Sequence, residues 1–242
     1  MFRLVIIIVV VTVVGCASTE QMRTLPENYY AQTSKDEIHV VMVGDLPSVN
    51  VVFPGAGCLL CMAAANTMHG QLKEHAATLD LLRLQQIGIE IVDGLTAKGL
   101  TASVSGDPSV LSGLEKFEGF SSKENFAKLD FRSLKEQLSG DTLLLIEVNG
   151  AGFSRDFLDY FPTSDPVAYV NAQVSWINLD TNELIVKQVV RIKVASEREW
   201  KAPPAYPGLT EALYKAIADT KTAVLQLLGI PPVLDQEETA TL

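Results

Sequence analysis

Histidine and cysteine are scarce in this chain, and acidic residues outnumber basic ones. Its 242 residues include three His and three Cys, with 19 Lys and Arg against 29 Asp and Glu, for a formal charge of −10. That charge argues against binding to nucleic acid or, by electrostatics, to an anionic membrane surface. Three His leave little for a Ser-His-Asp triad, and no Gly-x-Ser-x-Gly nucleophile motif occurs. The sequence therefore predicts no catalytic residues of these classes.

The chain also lacks an apolar run long enough to cross a bilayer as a helix, which needs about 20 residues. The first apolar block, residues 4–15, follows Arg3 and gives way at once to a polar run. Such a block is typical of a secretory signal, with an uncleaved anchor as the alternative. A shorter apolar block, residues 143–148, suits a buried strand.

The first apolar block ends in Val13-Val14-Gly15-Cys16, which resembles the lipobox of bacterial lipoproteins at all four positions. The resemblance implies cleavage before Cys16, a diacylglyceryl group on its thiol and acylation of its new amino group. It also implies delivery to the outer membrane, because Asp in place of Ala17 is the usual inner-membrane retention signal. We therefore expect a protein anchored to the outer membrane by the lipid on Cys16 and facing the periplasm.

Four regions are predicted along the chain. Residues 1–15 are the lipoprotein signal peptide, and their removal leaves 227 of the 242 residues, enough for a single domain. Residues 16–36 are the lipidated N-terminus and a flexible tether, in which Tyr29-Tyr30 either docks on the domain or is simply tolerated. Residues 37–230 form the folded domain, and residues 231–242 are an acidic tail.

Hydrophobic periodicity predicts the elements of the domain. The order is two strands (37–43, 49–53), two helices (58–73, about 79–98), a strand (101–104), a short helix (130–138), three strands (142–148, 167–179, 184–194) and a final helix (209–228). Thr78 is the expected N-cap of the second helix, and Gly99 the residue that follows its C-cap. This order predicts an α+β domain with helices packed on a mostly antiparallel or mixed sheet.

Once Cys16 carries lipid, Cys58 and Cys61 remain as a pair. In an oxidising compartment such a pair favours a disulfide or a redox motif. A helix N-terminus after a strand lowers the pKa of a thiol, so one hypothesis is a thiol–disulfide oxidoreductase with Cys58 as nucleophile and Cys61 as resolving thiol. The intervening Leu59 and Leu60 indicate instead a buried setting, and thus a structural disulfide or two buried thiols.

The same region predicts neither a metal site nor a cofactor site. One straight helix cannot bring Cys58, Cys61, His69 and His75 into tetrahedral geometry. The glycines after the second predicted strand lack the third glycine of a dinucleotide loop, since Leu60 occupies that position. We therefore expect no cofactor and no metal.

Residues 153–161 are predicted to be a loop rich in aromatic side chains. Aromatic residues and Arg are the types that anchor protein interfaces. The alternative is that the rings cover the edge of the sheet beneath them. The residues predicted to contact a partner are Phe153, Arg155, Phe157, Tyr160 and Phe161.

Two resemblances bear on function. From about residue 81 onward, the element order resembles the small α/β domain of periplasmic envelope proteins, such as the amino-terminal domain of the Tol translocation protein, the curli-export lipoprotein and the penicillin-binding-protein activator lipoproteins. The helix ending Ala97-Lys98-Gly99-Leu100, the strand after Asp141 and the hairpin at 178–182 carry it. Residues 53–61 and 161–166 resemble a group of bacterial lipoproteins with no assigned activity. The first resemblance implies partner binding rather than catalysis, and the second supports the assignment as a lipoprotein and says little about mechanism.

We therefore expect a non-enzymatic binding or assembly component of the cell envelope, with another envelope protein as partner. Thiol–disulfide exchange at Cys58 and Cys61 is the alternative. A lipid or peptidoglycan binder is a third class, for which the sequence shows no residue signature.

Overall fold

The computed structural model describes residues 22–35, 37–118 and 125–231. The predicted signal peptide, Cys16 and residues 232–242 of the acidic tail lie outside these ranges. In the described chain the helices are α1 (Tyr29–Gln32), α2 (Leu59–Met68), α3 (Gly70–Ala76), α4 (Gln86–Ala97), α5 (Lys135–Leu138) and α6 (Pro207–Leu227). The strands are β1 (Ile38–Val43), β2 (Asn50–Val52), β3 (Thr101–Ser105), β4 (Thr142–Ser154), β5 (Phe157–Leu158), β6 (Phe161–Pro162), β7 (Val167–Asn178) and β8 (Leu184–Ala195).

The principal sheet is mixed. Its strand order is β3-β1-β4-β7-β8, and β2 pairs with the far end of β4. Strand β1 runs parallel to both β3 and β4, whereas β4, β7 and β8 form an antiparallel meander. Strands β5 and β6 make a separate two-stranded hairpin. The expected α+β class, with helices on a mixed sheet in a single domain, is confirmed.

Apolar side chains cover both faces of the sheet, as the alternation along its strands requires. Helices α4 and α6 lie on one face, where their apolar residues pack around the fully buried Trp176. The opposite face is covered by apolar side chains from residues 110–114 and 127–138. A separate, small cluster holds α2 against the β5–β6 hairpin; its buried members are Phe53, Ala56, Cys61, Ala65 and Phe157.

The helix predicted over 58–73 is divided in two at His69. This residue has φ −114° and ψ 24°, outside the helical region, so α2 ends before it and α3 begins after it. Thr78 is not an N-cap: its hydroxyl donates to the His75 carbonyl at 2.7 Å just after α3. The next helical segment begins later, with a 3₁₀ turn over Leu82–Gln85 that leads into α4.

The end of α4 follows the prediction. Gly99 has φ +81°, and the Leu100 amide donates to the Leu95 carbonyl at 3.2 Å. Glycine reaches this left-handed conformation without the steric cost that a Cβ would impose. The chain can therefore turn directly from α4 into β3.

The flexible tether predicted for residues 16–36 does not extend through the described segment 22–35, which packs on the domain. The Arg23 backbone forms an antiparallel bridge with Lys187 of β8. The ring of Tyr29 lies edge-on to Trp176, with centroids 4.9 Å apart, and the Tyr30 hydroxyl donates to the Leu228 carbonyl. Apolar contact with a buried ring explains why this polar segment adopts a fixed position.

Candidate functional site

Cys58 and Cys61 are joined by a disulfide at the start of α2. Cys58 is exposed to solvent, whereas Cys61 is only 1% exposed and belongs to the small cluster under the helix. The expectation that the pair is buried is therefore wrong for Cys58. Leu59 and Leu60, which suggested burial, are themselves exposed.

Cys58 is the N-cap residue of α2. Its backbone is extended (φ −99°, ψ 155°), and its Sγ accepts a hydrogen bond from the Cys61 amide at 2.9 Å. The first amides of a helix have no partner within the helix and carry a partial positive charge. The sulfur of Cys58 therefore occupies the place where an N-cap oxygen usually sits, and one of these amides points at it.

The β5–β6 hairpin is fixed beside this N-terminus by main-chain contacts. The Phe157 amide donates to the Pro54 carbonyl at 2.7 Å, and the Asp159 amide donates to the Gly55 carbonyl at 3.2 Å. Gly55 has φ +86°, and a Cβ there would come within 1.9 Å of the Phe157 carbonyl oxygen. The absence of a side chain at this position allows the two segments to touch.

Tyr160, at the tip of the hairpin, reaches the disulfide. Its hydroxyl oxygen lies 3.7 Å from Cys58 Sγ. Because a disulfide sulfur carries no proton, the Tyr160 hydroxyl is the donor in this contact. Cys58 thus faces two donors, one from the main chain of α2 and one from the hairpin.

The residues predicted to contact a partner fall into two groups. Phe153 lies in β4 and is fully buried, and Phe157 is buried in the cluster under α2, so neither ring is available to a partner. The predicted loop begins too early because β4 continues past a bulge between Val148 and Gly150. Tyr160 and Phe161 are exposed, and Arg155 is half-buried.

Exposed apolar side chains lie at the start of α2 and on the β5–β6 hairpin, two segments that the Tyr160–Cys58 contact brings together. We call this region the hairpin–helix surface; it consists of Leu59, Leu60, Met62, Leu158, Tyr160 and Phe161. Leu59 is 87% exposed and Phe161 is 72% exposed. Leu59, Leu60 and Leu158 were not among the predicted contact residues, because an apolar residue in a helix or hairpin is ordinarily assigned to the core.

Behind the hairpin lies a cluster of Arg155, His69 and Trp200. Arg155 donates from Nη1 to His69 Nε2 at 2.9 Å and from Nε to the Ser164 carbonyl at 2.7 Å, and its guanidinium lies 4.9 Å from the centre of the Trp200 ring. His69 Nδ1 is 2.9 Å from the Ala65 carbonyl, so the neutral ring donates there and accepts from Arg155. Burial, with a smaller contribution from the Arg155 charge, lowers the pKa of His69.

This cluster borders a cleft of about 540 Å³ between α2, α3 and the segment before α6. His69, which lines the cleft, uses both ring nitrogens in hydrogen bonds, to the Ala65 carbonyl and the Arg155 guanidinium. Within residues 22–35, 37–118 and 125–231, no three His, Cys, Asp or Glu side chains come together in a way that could hold a metal ion. In the same ranges, no helix combines the length and apolar character needed to cross a membrane.

Comparisons with known proteins give distant likenesses. No protein-family model and no curated protein sequence matches the chain. Among solved structures it is similar to lipoprotein GNA1162 from Neisseria meningitidis, with 14% identity, 75% of this chain and 99% of the other covered, and a TM-score of 0.30. Protein XCC0632 from Xanthomonas campestris gives 14% identity, 86% and 93% coverage, and a TM-score of 0.38.

A neuraminyllactose-binding hemagglutinin homologue from Helicobacter pylori gives 12% identity, 81% and 83% coverage, and a TM-score of 0.37. At these values the likenesses carry no information on activity or partners.

Proposed function

We propose that this chain is an outer-membrane-anchored, periplasm-facing lipoprotein that acts without catalysis, as a binding or assembly component of the cell envelope. Its anchor is the lipid on Cys16, and its partner-binding site is the hairpin–helix surface. The observation that carries the proposal is the gathering of exposed Leu59, Leu60, Leu158 and Phe161 side chains on a rigidly held hairpin and helix end.

Such a surface favours a partner, because exposed apolar side chains that lie together mark interaction sites on soluble domains. Its backbone is already ordered by the Phe157–Pro54 and Asp159–Gly55 hydrogen bonds, so binding requires little further ordering of the main chain. Aromatic residues such as Tyr160 and Phe161 are of the type that contributes most to interface energies.

The occupant we propose is another envelope protein, with an apolar groove edged by basic residues. Asp156 and Asp159 are exposed on the same hairpin as Leu158, Tyr160 and Phe161. Two carboxylates among the apolar side chains disfavour insertion into an anionic lipid surface, and the formal charge of −10 acts in the same direction. A basic rim on a protein partner complements these carboxylates.

Photo-crosslinking in the exporting cell tests this proposal. A photoreactive amino acid is placed at Leu158 or Phe161, and for comparison at Leu82, an equally apolar residue that is 60% exposed on a different segment. We expect the same exported protein to be captured from positions 158 and 161 and not from 82. Leu158→Asp should abolish the capture from position 161, whereas Leu82→Asp should leave it intact.

Two results would overturn the proposal. One is capture of lipid alone from positions 158 and 161. The other is capture that is the same from position 82 or is unaffected by Leu158→Asp. The anchor has its own test: Cys16→Ser should release the protein from outer-membrane fractions, and continued membrane association would contradict the role of the lipid.

A further inference from the structure

We propose that the Cys58–Cys61 disulfide exchanges, once per bound partner and without turnover, with a pair of thiols on the protein that binds the hairpin–helix surface. The inference rests on the proposed function for the place where those thiols arrive. The disulfide belongs to the same site, since Leu59 and Leu60 lie between the two cysteines and Tyr160 contacts Cys58.

The two sulfurs differ in the way that exchange requires. Cys58 is exposed and contacts Tyr160 of the hairpin–helix surface, whereas Cys61 is 1% exposed and packs with Phe53, Ala65 and Phe157. An incoming thiolate can reach Cys58 and cannot reach Cys61. Attack is therefore directed to one sulfur, and Cys61 is protected from external thiols while remaining close enough to re-form the bond.

Two donors are already in position to stabilise a thiolate on Cys58. They are the Cys61 amide, 2.9 Å from Sγ, and the Tyr160 hydroxyl, 3.7 Å from it. A purely structural disulfide has no need of a hydroxyl from another segment directed at its exposed sulfur. Hydrogen bonds and the field of the ten-residue helix α2 favour the charged form of a thiol, which makes Cys58 a good leaving group.

The exchange is balanced without a further reagent. A partner thiol loses its proton to water and attacks Cys58 Sγ; a partner–Cys58 bond forms, the Cys58–Cys61 bond breaks, and Cys61 leaves and takes a proton. The partner's second thiol, once deprotonated, attacks the partner's first sulfur, and Cys58 leaves as a thiolate. Two electrons pass from the partner to the pair, and the products are a partner disulfide, the Cys61 thiol, the Cys58 thiolate and one released proton.

A mixed-disulfide trap in the exporting cell is the first test. With Cys61→Ala, the Cys58 thiolate can attack the partner's disulfide, which is the product of the exchange, and the partner's second sulfur leaves as a thiolate. Because Cys61 is no longer there to attack the mixed disulfide, we expect covalent adducts with an envelope protein that a reductant cleaves. Cys58→Ala, in which the remaining thiol is buried, should give none. Adding Leu158→Asp to Cys61→Ala should lower the amount of adduct, because this substitution disrupts the surface that binds the partner.

The second test measures the Cys58 thiol in the purified full-length Cys61→Ala protein. The rate of alkylation by iodoacetamide is followed against pH, with and without Tyr160→Phe. We expect the rate to reach half its maximum well below the pH of about 8.5 typical of a free cysteine. Tyr160→Phe should move that midpoint upward, a change that a merely structural role for Tyr160 would not produce.

The outcomes separate this inference from the proposed function. A Cys58 midpoint at the free-cysteine value together with no adduct overturns the exchange, even where crosslinks from Leu158 and Phe161 persist and uphold partner binding. Loss of those crosslinks with a reactive, adduct-forming Cys58 overturns the proposed docking role and, with it, exchange with a partner bound to that surface. Equal adducts from Cys58→Ala and Cys61→Ala also contradict the exchange, because the exposed and buried sulfurs would then be equivalent.

Discussion

Arg155 and His69 form a hydrogen-bonded pair that joins the hairpin to the break between α2 and α3. The guanidinium donates from Nη1 to Nε2 of the neutral imidazole at 2.9 Å, while its Nε is held by the Ser164 carbonyl. The pair connects the end of β4, the loop after β6 and the irregular turn of the helix, so it stabilises the scaffold that positions the hairpin–helix surface.

Arg155→Lys should therefore weaken the fold although it keeps the charge. A lysine ammonium cannot point donors in the two directions that the guanidinium reaches at once. We expect a loss of about 2 kcal/mol in the free energy of unfolding, measured by urea denaturation. Arg198→Lys is the matched control, because Arg198 is 69% exposed and forms a surface ion pair, and it should cost less than about 0.5 kcal/mol. Equal effects would show that the Arg155 geometry has no special role.

Gly55→Ala tests the contact between the hairpin and the loop before α2. The new Cβ would lie 1.9 Å from the Phe157 carbonyl oxygen, at a residue with φ +86°, so the hairpin must move or the loop must open. We expect a loss of about 2 kcal/mol or more and faster proteolysis near residue 158. Gly57→Ala is the control, since nothing lies within 4 Å of its Cβ position. If both variants behave alike, the close approach at Gly55 is not a determinant of the fold.

Stability should fall on mild acidification because of the histidines. Burial lowers the pKa of His39, His69 and His75 in the folded protein below the ordinary value of 6.5. The contribution of these histidines to the free energy of unfolding is present above pH 6.5. It is lost as the pH falls toward the lowered folded-state pKa, because the unfolded chain then binds protons that the folded chain does not. Urea midpoints should drop between about pH 7.5 and 5.5. His75→Gln should reduce the drop, and an unchanged midpoint in the wild-type protein would contradict the prediction.

At alkaline pH the docked N-terminal segment should be the sensitive element. Burial raises the pKa of Tyr29 and Tyr30 above their ordinary value of 10.0. The contribution of these tyrosines to the free energy of unfolding is complete below pH 10.0. It is lost as the pH rises above 10.0, since the phenols ionise first in the unfolded chain. Tyr30→Phe removes one of these groups and the hydrogen bond to the Leu228 carbonyl. We expect it to lower stability at neutral pH by about 1 kcal/mol and to flatten the alkaline loss; an unaltered alkaline profile would argue against docking.

Local signals were sufficient for much of the fold. The turn between β7 and β8 and the glycine after α4 were predicted correctly, because each depends on a few adjacent residues. The parallel pairing of β1 with both β3 and β4 has no such signal, since it depends on contacts between segments that lie far apart in the sequence. The order of strands and helices along the sequence was compatible with both a mixed and a mostly antiparallel sheet.

The candidate site was predicted less well, for reasons visible in single residues. Phe153 and Phe161 are chemically alike in the sequence, yet β4 buries the first and the hairpin tip exposes the second. Leu59 and Leu60 suggested a buried helix start, but the inward direction at this turn is taken by Cys61. At the end of a helix, the side that faces the core depends on the element that packs there. At the start of α2 that element is the β5–β6 hairpin.

The main-chain bridge between Arg23 and Lys187 fixes how far the domain can stand from its anchor. Six residues lie between Cys16 and Arg23 in the sequence, and the seven steps from one Cα to the other span at most about 25 Å when fully extended. With lipid on Cys16, β8 therefore stays within roughly one domain diameter of the bilayer. On the proposed lipid anchor, the domain would therefore stay beside the bilayer, and the proposed partner would have to meet it there.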